Sequence, residues 1–174
     1  MSPETKDERP VIVCYDGSPE AREAVRFAAG LVPGAHAVVV TVWKPISEAL
    51  LAVSLGPAPL ISDPVDADER QRRAADELAH DGARRASEAG LRAEPLAVRA
   101  QDAISDAIIE TANEHDARLI VCGAKERATS LETAVLARVP IALLLRAERP
   151  VLVVPAATKA QGPRRTRKLR TVAR

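Results

Sequence analysis

The residues able to do chemistry gather at the ends of two apolar runs. Leu119-Ile120-Val121-Cys122 ends in Gly123, and Lys125, Glu126, Arg127 and Arg138 follow. Val11-Ile12-Val13-Cys14-Tyr15 ends in Asp16-Gly17-Ser18. A glycine between a strand and a helix lets backbone N–H groups approach a phosphate. Lys125, Arg127 and Arg138 could pair with an anion directly, or they are basic residues of a solvated loop. Two residues oppose a phosphate. The Glu126 carboxylate repels it by roughly 1 kcal/mol in water at about 4 Å. Pro140 removes a backbone N–H from the start of the next helix. Asp16 fits a turn residue that bonds its own backbone.

No reaction is legible in the remaining side chains. Cys14 and Cys122 form no CxxC pair and no metal spacing, and both fit small buried hydrophobes. His36, His80 and His115 are scattered at the edges of predicted elements. HExxH, GxSxG and GxxxxGK[ST] motifs are absent, and no nucleophile stands with paired carboxylates. The expectation is a protein that is not an enzyme and holds no metal.

The elements that must position these residues alternate. The first strand, Val11–Tyr15, is followed by a helix with Ser18 as N-cap, Pro19 at its first position and Glu20 complementing the dipole. Ala21, Val25, Ala28 and Val32 share one face of it, and Gly34 stops it. His36–Trp43 is the second strand. Residues 44–65 form a proline-rich insertion, with a short helix expected over Ser47–Leu55. A long helix over Asp66–Glu88 carries an inner stripe of Ala75, Ala79, Gly82 and Ala86, with Arg70, Arg72 and Arg73 on its solvated face. Leu91–Arg99 is a strand that Pro95 places on a sheet edge. A third helix follows, with Ile104, Ile108 and Ala112 inward and Asp102 as its cap. Then come the Leu119–Cys122 strand, a helix over Ile141–Leu145 and a last strand, Val151–Val154. Four strand–helix units and a final strand predict a parallel sheet wrapped by helices on both faces. The ligand crevice of such a sheet lies beyond the strand ends where the order reverses, which sets Asp16 opposite Gly123.

Composition bounds the function classes. The chain has 174 residues, enough for one domain with a sizeable core. It is 47% hydrophobic but 2% aromatic, so Ala, Val, Leu and Ile must build that core. No apolar run is long enough to span a membrane, and Met1–Pro10 lacks the apolar stretch of a secretory signal; the expectation is a soluble, cytoplasmic protein. The net charge of +1 hides an asymmetry. Residues 1–155 carry −6, while residues 156–174 hold seven Lys and Arg and no acid. Such a basic tail is expected to be disordered. It could meet an acidic partner, acidic lipid or nucleic acid, although it lacks the aromatics that stack on bases.

Val11-Ile12-Val13-Cys14-Tyr15-Asp16-Gly17-Ser18-Pro19-Glu20 resembles the opening of a universal stress protein domain. Ile108–Ala112 is similar to that family's third helix, Leu119–Gly123 to its fourth strand and Arg149–Val154 to its closing strand. The resemblance covers residues 10–155, leaving residues 1–9 and 156–174 as flanking segments. It implies a doubly wound five-stranded parallel sheet of order 3-2-1-4-5, and a homodimer through the last strand, Val151, Leu152, Val153 and Val154. Some members bind ATP through G-x-x-G and a later Gly-Ser or Gly-Thr. Here Gly123 matches the first glycine, Glu126 (or Arg127 if the gap slides) replaces the second, and Ala137-Arg138 replace the last pair. The expectation is weak or no ATP binding, in a stress-response regulator or interaction module. The alternative is a nucleotide-binding signalling protein for ATP or AMP with a remodelled phosphate loop. Its contacts would be Asp16, Val42, Gly123, Lys125 and Arg138. Cys14 and Cys122 fall on neighbouring strands in this order, which raises a redox pair as a hypothesis, although a cytoplasmic disulfide would be unusual.

Overall fold

The structure, a computed structural model, describes residues 8–45, 64–124 and 138–155. Most of the 44–65 insertion, including the helix expected over Ser47–Leu55, lies outside them. So do Lys125 to Ala137 and the basic tail.

The elements in chain order are β1 (Val11–Cys14), α1 (Pro19–Leu31), β2 (His36–Trp43), α2 (Pro64–Glu88), β3 (Arg92–Arg99), α3 (Ile104–Glu114), β4 (Leu119–Ala124), α4 (Arg138–Arg146) and β5 (Val151–Pro155). The sheet runs β3-β2-β1-β4-β5, and every pairing is parallel. The expected alternation and strand order are both present.

A central parallel strand must be apolar on both faces, and Val11, Ile12 and Val13 are fully buried. Alternation sends Val11 and Val13 to a core under α1 and α2, with Val25, Val39 and Ala86. Ile12 goes to a second core under α3 and α4, with Val38, Ile108, Ile120 and Leu143. Pro95 sits in edge strand β3, opposite Val39 of β2.

The start of α1 follows its sequence. The Ala21 N–H donates to Ser18 Oγ at 3.1 Å, and Pro19 takes the first turn. Gly17 has φ +75°, which a residue without Cβ adopts freely. Gly82 lies in the middle of α2, where glycine costs about 1 kcal/mol relative to alanine. A Cβ there would stand 2.7 Å from the Tyr15 ring and 2.8 Å from Val39. The glycine therefore lets α2 settle closely onto the ends of β1 and β2. On the outer face of α2, Arg70, Arg72 and Arg73 pair with Asp66, Glu69 and Asp76, all well exposed, as a solvated helix face does.

Several local expectations change. α1 ends at Leu31, and Gly34, at φ +68°, serves the turn into β2. α2 begins at Pro64, two residues before the expected start. Asp102 does not cap α3: the cap is Ala103, with no side-chain bond. α4 begins at Arg138, three residues before the expected start, and turns Val139, Pro140 and Leu143 inward while Ile141, Leu144 and Leu145 point outward. Gly123 is not a turn residue either. It lies inside β4, in register with Val154, and is not among the glycines with positive φ.

Candidate functional site

A cavity of about 140 Å³ opens at the C-terminal ends of β1 and β4. The neighbours of β1 depart in opposite directions there, the position where such sheets take ligands. Cys14, Val40, Val42 and Cys122 come from the strands, Ile104 and Ile108 from α3, and Val139 and Pro140 from α4. Asp16, Ser18 and Glu20, from the β1–α1 turn and the first turn of α1, are its polar lining residues. Arg146 of α4 pairs with Asp106 of α3, tying together the two helices that frame the cavity.

Of the residues expected in a nucleotide site, Asp16, Val42 and Gly123 come together on this cavity. Arg138 begins α4, immediately before two lining residues. Lys125 lies outside the described residues. Asp16 is exposed, and its Oδ1 accepts the Ser18 N–H at 3.0 Å, the bond of an aspartate turn. The exit of β1 is pinned to β2: the Tyr15 N–H donates to the Val40 carbonyl at 2.8 Å, and Thr41 Oγ1 donates to the Tyr15 carbonyl at 2.9 Å.

Packing explains why Gly123 is a glycine. A Cβ there would stand 2.6 Å from the carbonyl carbon of Glu20 and 2.7 Å from its oxygen. Those atoms are backbone and cannot swing away. Gly123 lets the first turn of α1 lie directly on β4, and this brings Glu20 to the cavity. The sequence pointed to Glu20 only as a partner of the helix dipole. Ser18, Ile104, Ile108 and Val139 were likewise missed as lining residues. Helical spacing of Ile104 and Ile108 was the available signal, but it reports a buried face without saying what that face meets.

Cys14 and Cys122 both line the cavity and both carry free thiols. Burial raises the Cys14 thiol well above its ordinary value, and Cys122 and Asp16 add to the effect. Burial pushes Cys122 up to about 11. Both are thiols rather than thiolates at neutral pH, and so weak nucleophiles. Tyr15, the next residue after Cys14, points to the other face of the sheet, where its OH donates to Asp81 Oδ2 at 2.7 Å. Arg85, Tyr15 and Arg84 hold the Asp81 carboxyl well below the usual carboxylate range. Among the described residues, no group of three or more His, Cys, Asp or Glu could hold a metal ion.

The model of the universal stress protein family matches residues 8–155. The chain belongs to the universal stress protein family. Similar solved structures share the fold. One is a universal stress protein family member from Burkholderia pseudomallei, 24% identical, covering 88% of this chain and all of its own, with a TM-score of 0.60. Another is the universal stress protein from Archaeoglobus fulgidus in complex with dAMP, 23% identical, covering 83% of this chain and 96% of its own, with a TM-score of 0.53. A third is a family member from Arabidopsis thaliana with AMP bound, 15% identical, covering 86% and 92%, with a TM-score of 0.56. A search of curated proteins finds no significant match.

Proposed function

We propose that this chain is a non-enzymatic, cytoplasmic stress-response module of the universal stress protein type, dimeric, with weak or no binding of ATP. Residues 10–155 form the working domain, flanked by residues 1–9 and the basic tail over 156–174. One observation carries the reading of weak nucleotide binding. The glycine that survives from the family's phosphate motif is required by the crossing of α1 over β4, so its presence needs no phosphate. That crossing also brings Glu20 to the cavity wall, and its negative charge would oppose an anionic ligand there. Pro140, in the first turn of α4, offers no N–H.

The alternative, an adenine-nucleotide-binding signalling protein, is favoured by the cavity itself. Asp16, Val42 and Gly123 still meet there, and two structural relatives hold dAMP and AMP. Side-chain charges of Lys125 and Arg138 would then replace the lost backbone grip. Isothermal calorimetry of the full chain with ATP and magnesium separates the two readings. Heat no greater than that of buffer dilution is expected at tens of micromolar protein, and saturable micromolar binding sinks the proposal.

The dimer is supported by the edge of the sheet. Val151, Leu152 and Val153 of edge strand β5 are only partly buried. Phe27 and Leu31 on α1, and Ile141, Leu144 and Leu145 on α4, remain exposed on the helices of opposite faces. Among the described residues nothing pairs with the outer edge of β5, and such an edge beside exposed apolar residues invites pairing with a second copy. Sedimentation at micromolar concentration is expected to give twice the chain mass. Among the described residues no helix is long and apolar enough to cross a membrane. The basic tail would meet an acidic partner or nucleic acid, and unchanged retention of DNA and RNA after deletion of residues 156–174 would dispose of the nucleic-acid role.

A further inference from the structure

The two thiols form a pair with its own chemistry, independent of whether a nucleotide binds. Val13 of β1 is in register with Val121 of β4, and Cys14 and Cys122 are the next residue on each strand. Strand alternation puts both on the same face, against the core under α3 and α4. Both open onto the same cavity, and both are free.

We propose that Cys14 and Cys122 act together as a dithiol site that captures a trivalent organoarsenical in this cavity. Electron balance selects a bridging atom over a direct bond. Neighbouring strands lie about 4.8 Å apart, close enough for one atom to bond both sulfurs, whereas closing a disulfide removes two electrons and needs an oxidant. The cavity also disfavours negative charge, because Asp16 and Glu20 already stand on it. A soft metal ion binds only after both thiols have lost their protons to solvent, which their burial opposes, and a singly charged ion would leave a net anion besides. The arsenical is neutral before and after it binds. An arsonous acid, R–As(OH)₂, meets the two thiols. Two S–H bonds and two As–OH bonds break, two As–S bonds form, and two waters leave. No oxidation state changes, so no oxidant is required, and the product is a neutral dithioester among Val40, Val42, Ile104 and Ile108. The raised thiol pKa values agree with a site that holds sulfur in neutral form.

The test uses the reduced full-length chain at neutral pH with phenylarsine oxide, which hydrates to such an acid. Intact mass and the count of free thiols are followed together. One arsenical per chain is expected, with both thiols lost in step, released by 1,2-ethanedithiol but not by the same concentration of a monothiol. Cys14→Ala and Cys122→Ala should each weaken retention at least tenfold. Should either variant fold poorly, wild-type chain unfolded in urea provides the second measurement, with a similar tenfold loss expected once the strands separate. Loss of only one thiol, retention by a single-alanine variant equal to wild type, or equal retention by the unfolded chain would each overturn the proposal.

Discussion

Cys14 and Tyr15 are consecutive residues at the same strand end, and the two faces of the sheet treat them differently. Tyr15 is 2% exposed, its ring set against Gly82 and its OH bonded to Asp81. The 25-residue α2 seals that face beyond the strand end. Cys14 points to the face covered by α3 and α4, of 11 and 9 residues. Those shorter helices begin near the strand ends and leave a cavity between Ile104 and Val139. One sheet tip therefore has a closed side and an open side. The candidate function belongs to the open side, and the closed side supplies the rigidity that holds it.

Two glycines test the closed contacts, with the largest effects expected. Gly82→Ala adds a methyl group 2.7 Å from the Tyr15 ring. Overpacking of this kind costs about 1–3 kcal/mol, against about 1 kcal/mol gained in helix propensity. Gly123→Ala meets the backbone of Glu20 at 2.6 Å and lacks the helical compensation, so it should cost about 3 kcal/mol. Urea midpoints compare both variants with wild type in the absence of nucleotide. An unchanged midpoint for Gly123→Ala would return that glycine to a role in ligand binding.

The two faces should also respond to opposite ends of the pH scale. On the open face, the Cys122 thiol stands at about 11 against an ordinary 9.0. The folded state holds this proton more tightly. The stabilisation is complete below pH 9 and is lost as pH rises towards 11, on the order of 3 kcal/mol. Cys122→Ala should flatten the alkaline fall in the urea midpoint relative to wild type. Tyr15, also raised by its burial, titrates in both proteins and drops out of the comparison, while Cys14 loses the part of its rise that Cys122 supplies, which flattens the fall further. On the closed face, Asp81 is depressed by Arg85, Tyr15 and Arg84. Its contribution is present above the ordinary carboxylate range near pH 4 and disappears as pH falls below it. Tyr15→Phe removes one of its hydrogen bonds, at about 1 kcal/mol near neutral pH. That deficit should hold through mild acid and shrink only below the depressed range in which the folded Asp81 carboxyl takes up its proton. A urea midpoint at neutral pH unchanged by Tyr15→Phe would mean the Tyr15–Asp81 bond is not what seals this face.

Much of the fold was legible because its signals are local. Ser18-Pro19 announces a helix start, Pro95 announces an edge, and the apolar run Val11–Tyr15 announces a strand buried on both faces. Each is satisfied in the structure. Where the expectation failed, the deciding contact is distant in sequence. Gly123 resembled a phosphate glycine because nothing near it reveals that Glu20 crosses above. Asp102 looked like a cap, yet α3 begins without a side-chain cap. Leu143 was not distinguished from Leu144 and Leu145, because a nine-residue helix that is apolar nearly all round carries little information about which side faces the sheet. Of the expected site, Asp16, Val42 and Gly123 could be placed together from strand order, whereas Glu20 enters only through the packing of α1 on β4.

Asp16 gives the smallest predicted effect and the sharpest reading of the open side. It is exposed, and its one described hydrogen bond is to the Ser18 N–H. As a turn residue, Asp16→Ala should lower stability by only about 0.5 kcal/mol, the low end for a hydrogen bond in water. Ser18 still caps α1 through the Ala21 N–H, so the helix start survives and the cavity stays formed. A ligand role would separate from this structural role in one respect. Loss of a carboxylate that bonded a bound nucleoside would weaken binding at least tenfold, with little change in the melting temperature. If the weak-binding proposal is right, wild type and Asp16→Ala give the same absence of saturable heat with ATP and differ by no more than about 3 °C in melting temperature. Saturable heat in wild type, diminished in the variant, would show the open side to be a working nucleotide site in spite of Glu20.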